Sequence, residues 1–353
     1  MSTRTRVLFV TASTEPWGAE HSLRTLLGSA PANYSCTLLA SSHEVAEYCR
    51  PLVNELRVVD EHQGMARRLA SFYNEIAKIS NQYDVIVIFS LKLLPLAWPI
   101  RSRWRHICVI ADVHDAPIGV DRLVSRLLLR FVNGSIAISR FVIEHLKLKN
   151  ATIVPRPIAD NGSSAVRHGA RDDSLEVVLG IVGRIDPEKR IEVAIDAMRF
   201  LPPRFKLNIY GDPCIAGDEY ALELSSRAQS PTQTRFRGRM APEDIYEEID
   251  GLIVCNEREP SGRTVGEAML RQKLVFAPDR GGSNEYFDDS ISGFIYRALD
   301  AESLAQVVES AFAPARNTDL VRKRAREKVI AERSPGPVAE HYFRVLGLIA
   351  SSS

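Results

Sequence analysis

A chain of 353 residues is too long for one ordinary hydrophobic core, so two domains are expected. The composition is 45% hydrophobic and 25% charged, and 45 Lys and Arg against 44 Asp and Glu leave a formal net charge of +1. That balance excludes a nucleic-acid binder acting through a broad basic field, and no apolar run approaches the roughly 20 residues of a membrane-spanning helix.

In chain order, Met1 to Arg6 shows no signal-peptide core and leads into a strand over Val7–Val10. The loop Thr14-Glu15-Pro16-Trp17-Gly18-Ala19-Glu20 follows, with a helix from about Glu20. Gly18 lets a ligand approach the backbone closely, although the dinucleotide pattern G-x-G-x-x-G is absent. Further strands are predicted at Cys36–Ala40, Asp84–Phe89, His106–Ile110, Ser135–Ile138 and Ala151–Val154. Near-continuous apolar strands separated by helices predict a parallel sheet covered on both faces. His114 and Asp115 follow a buried strand and fall at its carboxyl edge, where a histidine either binds a polar substrate or serves the structure alone. The five cysteines, Cys36, Cys49, Cys108, Cys214 and Cys255, are scattered without metal-ligand spacing, as suits a reducing cytosol.

Residues 122–131 are both basic and apolar, with Arg122, Arg126 and Arg130 four apart. Such a helix fits peripheral contact with an anionic bilayer; it reads more readily as a buried helix with a solvated arginine edge.

From Ala159 to Ser174 the chain is polar and rich in Asp, Gly, Ser and Arg, as a linker would be. The predicted domains are therefore 1–158, with a C-terminal amphipathic segment over 336–353 returning to it, and 175–335. In the second, strands are predicted at Val177–Val182, Lys206–Tyr210, Thr234–Arg237, Gly251–Cys255, Leu274–Ala277 and Gly293–Tyr296, with a helix over Ile191–Phe200. The fold class is α/β, two doubly wound Rossmann-like domains facing across a cleft.

Three segments of the second half could do chemistry. Gly183-Arg184-Ile185-Asp186-Pro187-Glu188-Lys189 closes the first strand of that half, and Arg184 and Lys189 offer a planar fork and a mobile point charge to phosphate oxygens. Glu259-Pro260-Ser261-Gly262-Arg263-Thr264-Val265-Gly266-Glu267 holds two carboxylates separated by seven residues. Pro260 biases Glu259 to extended backbone in a loop, while Glu267 lies one or two turns into the following helix. A helix N-terminus at the carboxyl end of a strand favours an anionic ligand. Gly281-Gly282-Ser283-Asn284-Glu285 allows a tight turn, with Glu285 available to sugar hydroxyls. Taken singly, each also reads as a solvated turn or charged face.

In this order, with Ala268-Met269 after the second carboxylate, the residues resemble the retaining GT-B glycosyltransferases of glycosyltransferase family four, most closely over Glu259 to Met269. The resemblance implies sugar transfer from a nucleoside-diphosphate sugar to an acceptor hydroxyl, with the anomeric configuration retained. Such transfer belongs to polysaccharide, glycolipid or natural-product biosynthesis, in the cytoplasm or at a membrane periphery. It implies no metal and no cofactor beyond the nucleotide-sugar co-substrate, and no nucleic-acid partner. Arg184 and Lys189 would bind the diphosphate, Glu259 would face the transferred sugar, and His114 would contact that sugar. Glu267 would bind the ribose, with Ser261, Gly262, Arg263 and Thr264 beside it. Gly18 and Gly183 would admit the phosphates, while Gly238, Arg239 and Met240 would flank the base. Gly282 and Glu285 would line the sugar or phosphate. Departures are Trp17 for a glycine, Ser261 for a phenylalanine, Arg190 for a glycine, and Val154-Pro155-Arg156-Pro157 at the hinge. A sugar-nucleotide epimerase of the same architecture and a catalytically silent sugar-nucleotide-binding module are the alternatives.

Overall fold

The structure is a computed structural model that describes residues 4–16, 18–59, 64–160, 176–213, 218–228 and 233–352. Trp17, Cys214 and positions 161–174 of the expected linker lie outside the described residues. The chain divides into two compact units, Met1–Ala159 with Arg333–Ser353, and Asp160–Glu332.

The first unit contains seven parallel strands: β1 (Thr5–Thr11), β2 (Tyr34–Ala40), β3 (Glu55–Val58), β4 (Val85–Ile88), β5 (Cys108–Val113), β6 (Gly134–Ala137) and β7 (Ala151–Ile153). Their order is β3-β2-β1-β4-β5-β6-β7. β3, Glu-Leu-Arg-Val, went unforeseen because two of its four residues are charged and none is fully buried. An edge strand needs no continuous apolar run. β5 begins and ends later than the expected His106–Ile110, running through the buried Asp112.

The second unit holds β8 (Val177–Val182), β9 (Phe205–Tyr210), β10 (Thr234–Gly238), β11 (Gly251–Ile253), β12 (Leu274–Pro278) and β13 (Phe294–Tyr296), in the order β10-β9-β8-β11-β12-β13. All its neighbours are parallel. In both sheets the chain winds outward from a central strand and then returns to that strand's other side. The winding reverses between β1 and β4 in the first sheet and between β8 and β11 in the second. An open α/β sheet leaves a crevice at the carboxyl ends of the strands at such a reversal.

Apolar side chains of both faces close the cores. Leu179, Ile181, Leu207, Ile209, Phe276 and Leu304 are among those sealed in the second unit. The helix Ile191–Ala197 is shorter than the expected Ile191–Phe200 and buries Ile191, Val193, Ala194 and Ile195. The C-terminal helix Pro335–Ser351 belongs to the first unit. It buries Val338, Ala339, Tyr342, Phe343, Val345 and Leu346 against β1, β2 and the helix Gly18–Gly28. Burying each of the larger apolar side chains contributes about 1.5–3 kcal/mol, so this helix is an integral part of the unit.

At the ends of β8 and β9 two backbones nearly touch. A Cβ at Gly211, where φ is +141°, would stand 1.9 Å from the Gly183 carbonyl oxygen. Only glycine permits this approach. Gly211 N–H in turn donates to the Gly238 carbonyl at 2.9 Å, so the ends of β8, β9 and β10 are tied in a row.

The basic segment predicted over 122–131 is a helix, Gly119–Leu128, followed by a 3-10 turn over Leu129–Phe131. Only Ser125 of the helix is buried. The alternative of a buried apolar face does not hold here: Val120, Leu123, Val124 and Leu127 are exposed.

Candidate active site

β8 delivers Gly183 and Arg184 to its carboxyl end, and the chain then turns through Asp186-Pro187-Glu188-Lys189. Asp186 caps that turn, its Oδ1 accepting from the Glu188 N–H at 2.9 Å. The left-handed Arg190 (φ +52°) then starts the next helix. The turn aims Lys189 across the reversal point at the segment following β11. Its Nζ donates to Glu259 Oε2 at 2.7 Å.

Asn256 Nδ2 donates to the same oxygen at 3.2 Å, and Asn256 Oδ1 accepts from the Arg258 N–H at 2.9 Å. The Glu259 carbonyl accepts from the Gly282 N–H at 2.7 Å, fastening this loop to the one after β12. Burial would by itself raise the Glu259 carboxyl. The Lys189 ammonium and its hydrogen bond, with Asn256 and the Arg184 charge, outweigh that and hold it below its ordinary value. Glu259 is therefore an anion at neutral pH, fixed by one cation and one amide. Asn256 was not picked out from the sequence; an amide three residues before the carboxylate in a loop was the only signal.

Ser261 and Gly262 are buried and end the loop. Gly262 adopts φ +85°, and a Cβ there would meet Ser283 Oγ at 2.6 Å. The helix Arg263–Leu270 starts at Gly262 with no side-chain cap, so its first N–H groups point out of the strand ends unused by a capping side chain. Val265, Ala268 and Met269 fall on its buried face, as their spacing predicted. Ser261 Oγ shares a hydrogen bond of 3.2 Å with the Tyr286 hydroxyl.

Glu267 lies in the second turn. Its Oε1 accepts from Arg263 Nε at 2.7 Å, and its Oε2 from the Tyr246 hydroxyl at 3.2 Å. Tyr246 is fully buried, and its single hydroxyl proton is shared between Glu267 and the Thr264 carbonyl, which is also at 3.2 Å. Burial, then the Glu267 charge, pushes its phenol well above the ordinary range, so it stays a donor. A carboxylate has about four acceptor sites, so Glu267 is oriented by these two bonds with room for further donors. Tyr246, on another helix, was invisible to spacing arguments.

The other second-unit candidates sit on the same edge. Gly238 (φ +70°) ends β10, with Arg239 exposed and Met240 half-buried beyond it. Gly282 is buried, and Glu285 lies half-buried in the 3-10 turn Ser283–Tyr286. The structure thus brings Gly183, Arg184, Lys189, Gly238 to Met240, Glu259 to Glu267, Gly282 and Glu285 to the carboxyl ends of β8, β10, β11 and β12. Among the described residues, no group of three or more His, Cys, Asp or Glu side chains could hold a metal ion.

Gly18 and His114 belong to the first unit. Gly18 opens the helix Gly18–Gly28 beyond β1 and is exposed. His114 follows β5 and packs on the Phe89 ring, 4.5 Å between centroids. It stands in a buried polar cluster. Asp112 is bound by both terminal nitrogens of Arg156, one at 3.1 Å, and accepts from the Tyr342 hydroxyl at 2.7 Å. His114 Nδ1 is 3.6 Å from Asp112, and its Nε2 is 3.9 Å from Asp115. Burial would lower the imidazole, but the two carboxylates outweigh it and raise it above its ordinary value. Arg156, noted in the sequence only as a departure at the hinge, is the buried counter-ion of this cluster.

Residues 168–328 match the family model described as Glycosyl transferases group 1. Over that stretch the chain is similar to a group 1 glycosyl transferase domain. Over 285 residues it is 28% identical to the lipopolysaccharide 1,2-N-acetylglucosaminetransferase of Salmonella typhimurium, covering 75% of this chain and 73% of that relative. Among solved structures, it is similar to Anabaena HepE in complex with UDP and glucose, with a TM-score of 0.84 at 18% identity over 98% of this chain and 100% of the other. It is also similar to sucrose-phosphate synthase of Thermosynechococcus elongatus, with a TM-score of 0.80 at 18% identity over 99% and 100%. These likenesses establish the fold expected from the sequence: two parallel-sheet, Rossmann-like units of the GT-B type.

Proposed function

We propose that this glycosyltransferase moves a sugar from a nucleoside-diphosphate sugar to an acceptor hydroxyl, retains the anomeric configuration, and needs no metal. The observation that carries the reading is the Lys189–Glu259 contact of 2.7 Å across the winding reversal, beside the uncapped helix start at Gly262. A diphosphate placed there meets Arg184, Lys189 and the first amides of that helix, which together supply preorganised positive charge.

In the transfer, the bond from the anomeric carbon to the diphosphate oxygen breaks and the electron pair leaves with the diphosphate. Lys189, Arg184 and the helix amides stabilise that developing charge. The acceptor oxygen forms the new bond on the same face, and its proton passes to the departing phosphate oxygen. Glu259, anionic at neutral pH, offsets positive charge at the anomeric carbon or orients the sugar. Glu267, held by Tyr246 and Arg263, accepts from the nucleotide ribose. Gly238, Arg239 and Met240 line the base, and Gly282 with Glu285 the sugar or phosphate. In the first unit, Gly18 at the start of the helix after β1 leaves its backbone open to a phosphate, and His114 offers a polar contact at the carboxyl edge of the sheet.

A UDP-, GDP-, ADP- and dTDP-sugar panel read by thermal shift identifies the donor, because a ligand bound only by the folded state raises the melting point. NMR of the product then gives the anomer, and turnover in chelator tests the metal. An inverted product, or turnover abolished by chelator and restored by one divalent ion, refutes those parts. Isomerised donor without acceptor would assign an epimerase. We place the reaction in the cytoplasm; among the described residues, no helix is long and apolar enough to cross a membrane.

A further inference from the structure

The helix Gly119–Leu128 carries its apolar residues on the outside. Val120, Leu123, Val124 and Leu127 recur at the spacing of one helical stripe and are 73%, 62%, 46% and 54% exposed, with Ile118 exposed just before them. The core is served instead by Ser125 and by Leu128, Leu129 and Phe131. A contiguous aliphatic stripe left in water marks an interaction surface rather than a folding element.

Cations frame it. Leu123, Leu127, Arg126, Arg130, Lys147 and Lys149 line a cavity of about 730 Å³ beside the stripe. A second depression of about 470 Å³ shares Asn133 with the first and is lined by Trp98, Arg101 and Arg105, with Trp98 61% exposed. Between Ile118 and Asn150 the sequence carries six Arg and Lys against two acidic residues, Asp121 and Glu144, in a chain whose net charge is +1. Arg126, Arg130, Lys147 and Lys149 form no ion pair among the described residues. The first cavity opens at the amino ends of β6 and β7, the opposite end of the sheet from His114.

We propose that this face, the stripe Val120–Leu127 with Arg126, Arg130, Lys147 and Lys149, docks the protein on an anionic phospholipid membrane. Leucine and valine enter the headgroup boundary, the long cationic side chains reach phosphates at the same depth, and the exposed Trp98 suits the interface. A symmetric second copy is disfavoured, because self-pairing would bring this cluster against its own like charges. The proposal is independent of sugar transfer, since it uses no donor-site residue.

The test is flotation of the full chain with vesicles of phosphatidylcholine alone or mixed with phosphatidylglycerol. Binding is expected only to the mixed vesicles and is expected to weaken as salt rises. Each cation removed should weaken partition about fivefold, so changing Arg126, Arg130, Lys147 and Lys149 together to Ala should weaken it by nearly three orders of magnitude, about 600-fold. Leu123→Glu with Leu127→Glu should abolish binding while the circular-dichroism melt is unchanged, both side chains being exposed. Partition indifferent to phosphatidylglycerol, or unaltered in both variants, overturns the proposal. A lipid-free dimer dispersed by Leu123→Glu also overturns it, assigning the stripe to a second copy.

Discussion

Both sheets reverse their winding beside a central strand, yet the two reversal points hold different chemistry. Between β1 and β4 the bridge is neutral: Thr11 Oγ1 and Ser90 Oγ share a hydrogen bond of 3.1 Å, and Ser90 also accepts from the Ala12 N–H at 3.0 Å. Between β8 and β11 it is a cation and a carboxylate, Lys189 and Glu259, with side chains 30% and 18% exposed. The first unit keeps its own ion pair deeper, in Asp112 and Arg156, where Tyr342 of the C-terminal helix completes it. A pair sealed from water fixes structure, because neither partner has anywhere else to turn. A pair with open sides can exchange its partner for a ligand. Topology supplies the crevice twice, and the charges decide which crevice takes an anion.

The sharpest way to break this contrast is to remove one partner of each pair. Asp112→Ala leaves Arg156 buried without its carboxylate and should destabilise the protein by about 3–5 kcal/mol in denaturant titrations. Its pH dependence has a defined sign. Burial would raise the Asp112 carboxyl, but Arg156 and His114 hold it down, from an ordinary 3.8 to about 2. A depressed folded-state value means that the unfolded chain binds the extra proton, so the stabilisation is complete above about pH 4 and is lost as pH falls toward 2. Wild type should show this acid-side loss, and Asp112→Ala should lack it.

Glu259→Gln and Lys189→Ala should behave oppositely, keeping the melt within a few degrees while turnover falls about a hundredfold, the scale of losing one preorganised electrostatic contact. Unchanged transfer in both variants would remove the pair from the chemistry. Gly262→Ala forces a side chain into a left-handed backbone against Ser283 and should cost about 1–3 kcal/mol, weakening donor affinity as the helix start shifts. The smallest expected effect is that of Tyr246→Phe. Losing a hydrogen bond to Glu267 should cost about 1 kcal/mol, read as a higher KM for the donor with kcat nearly intact.

Much of this was legible in the chain. The strands Val177–Val182 and Leu274–Pro278 are apolar runs that can only be sheet core, and Glu259, Pro260, Gly262 and Glu267 specify a loop that feeds an uncapped helix. The unread parts share a cause. Asn256, Tyr246 and Arg156 act through partners from 3 to 44 residues away, and no local period encodes such pairings. The outward stripe of Gly119–Leu128 stayed undecided for the same reason, since periodicity shows that a helix has an apolar side but not what covers it.

The sequence by itself determined the doubly wound plan and the identity of the charged groups, because strand and helix periods and backbone-restricting residues act over a few positions. Only the tertiary structure decided which charges meet. Burial and distance set whether an ion pair is a sealed strut, as at Asp112, or an open site, as at Glu259, and both quantities arise from residues far apart in the chain.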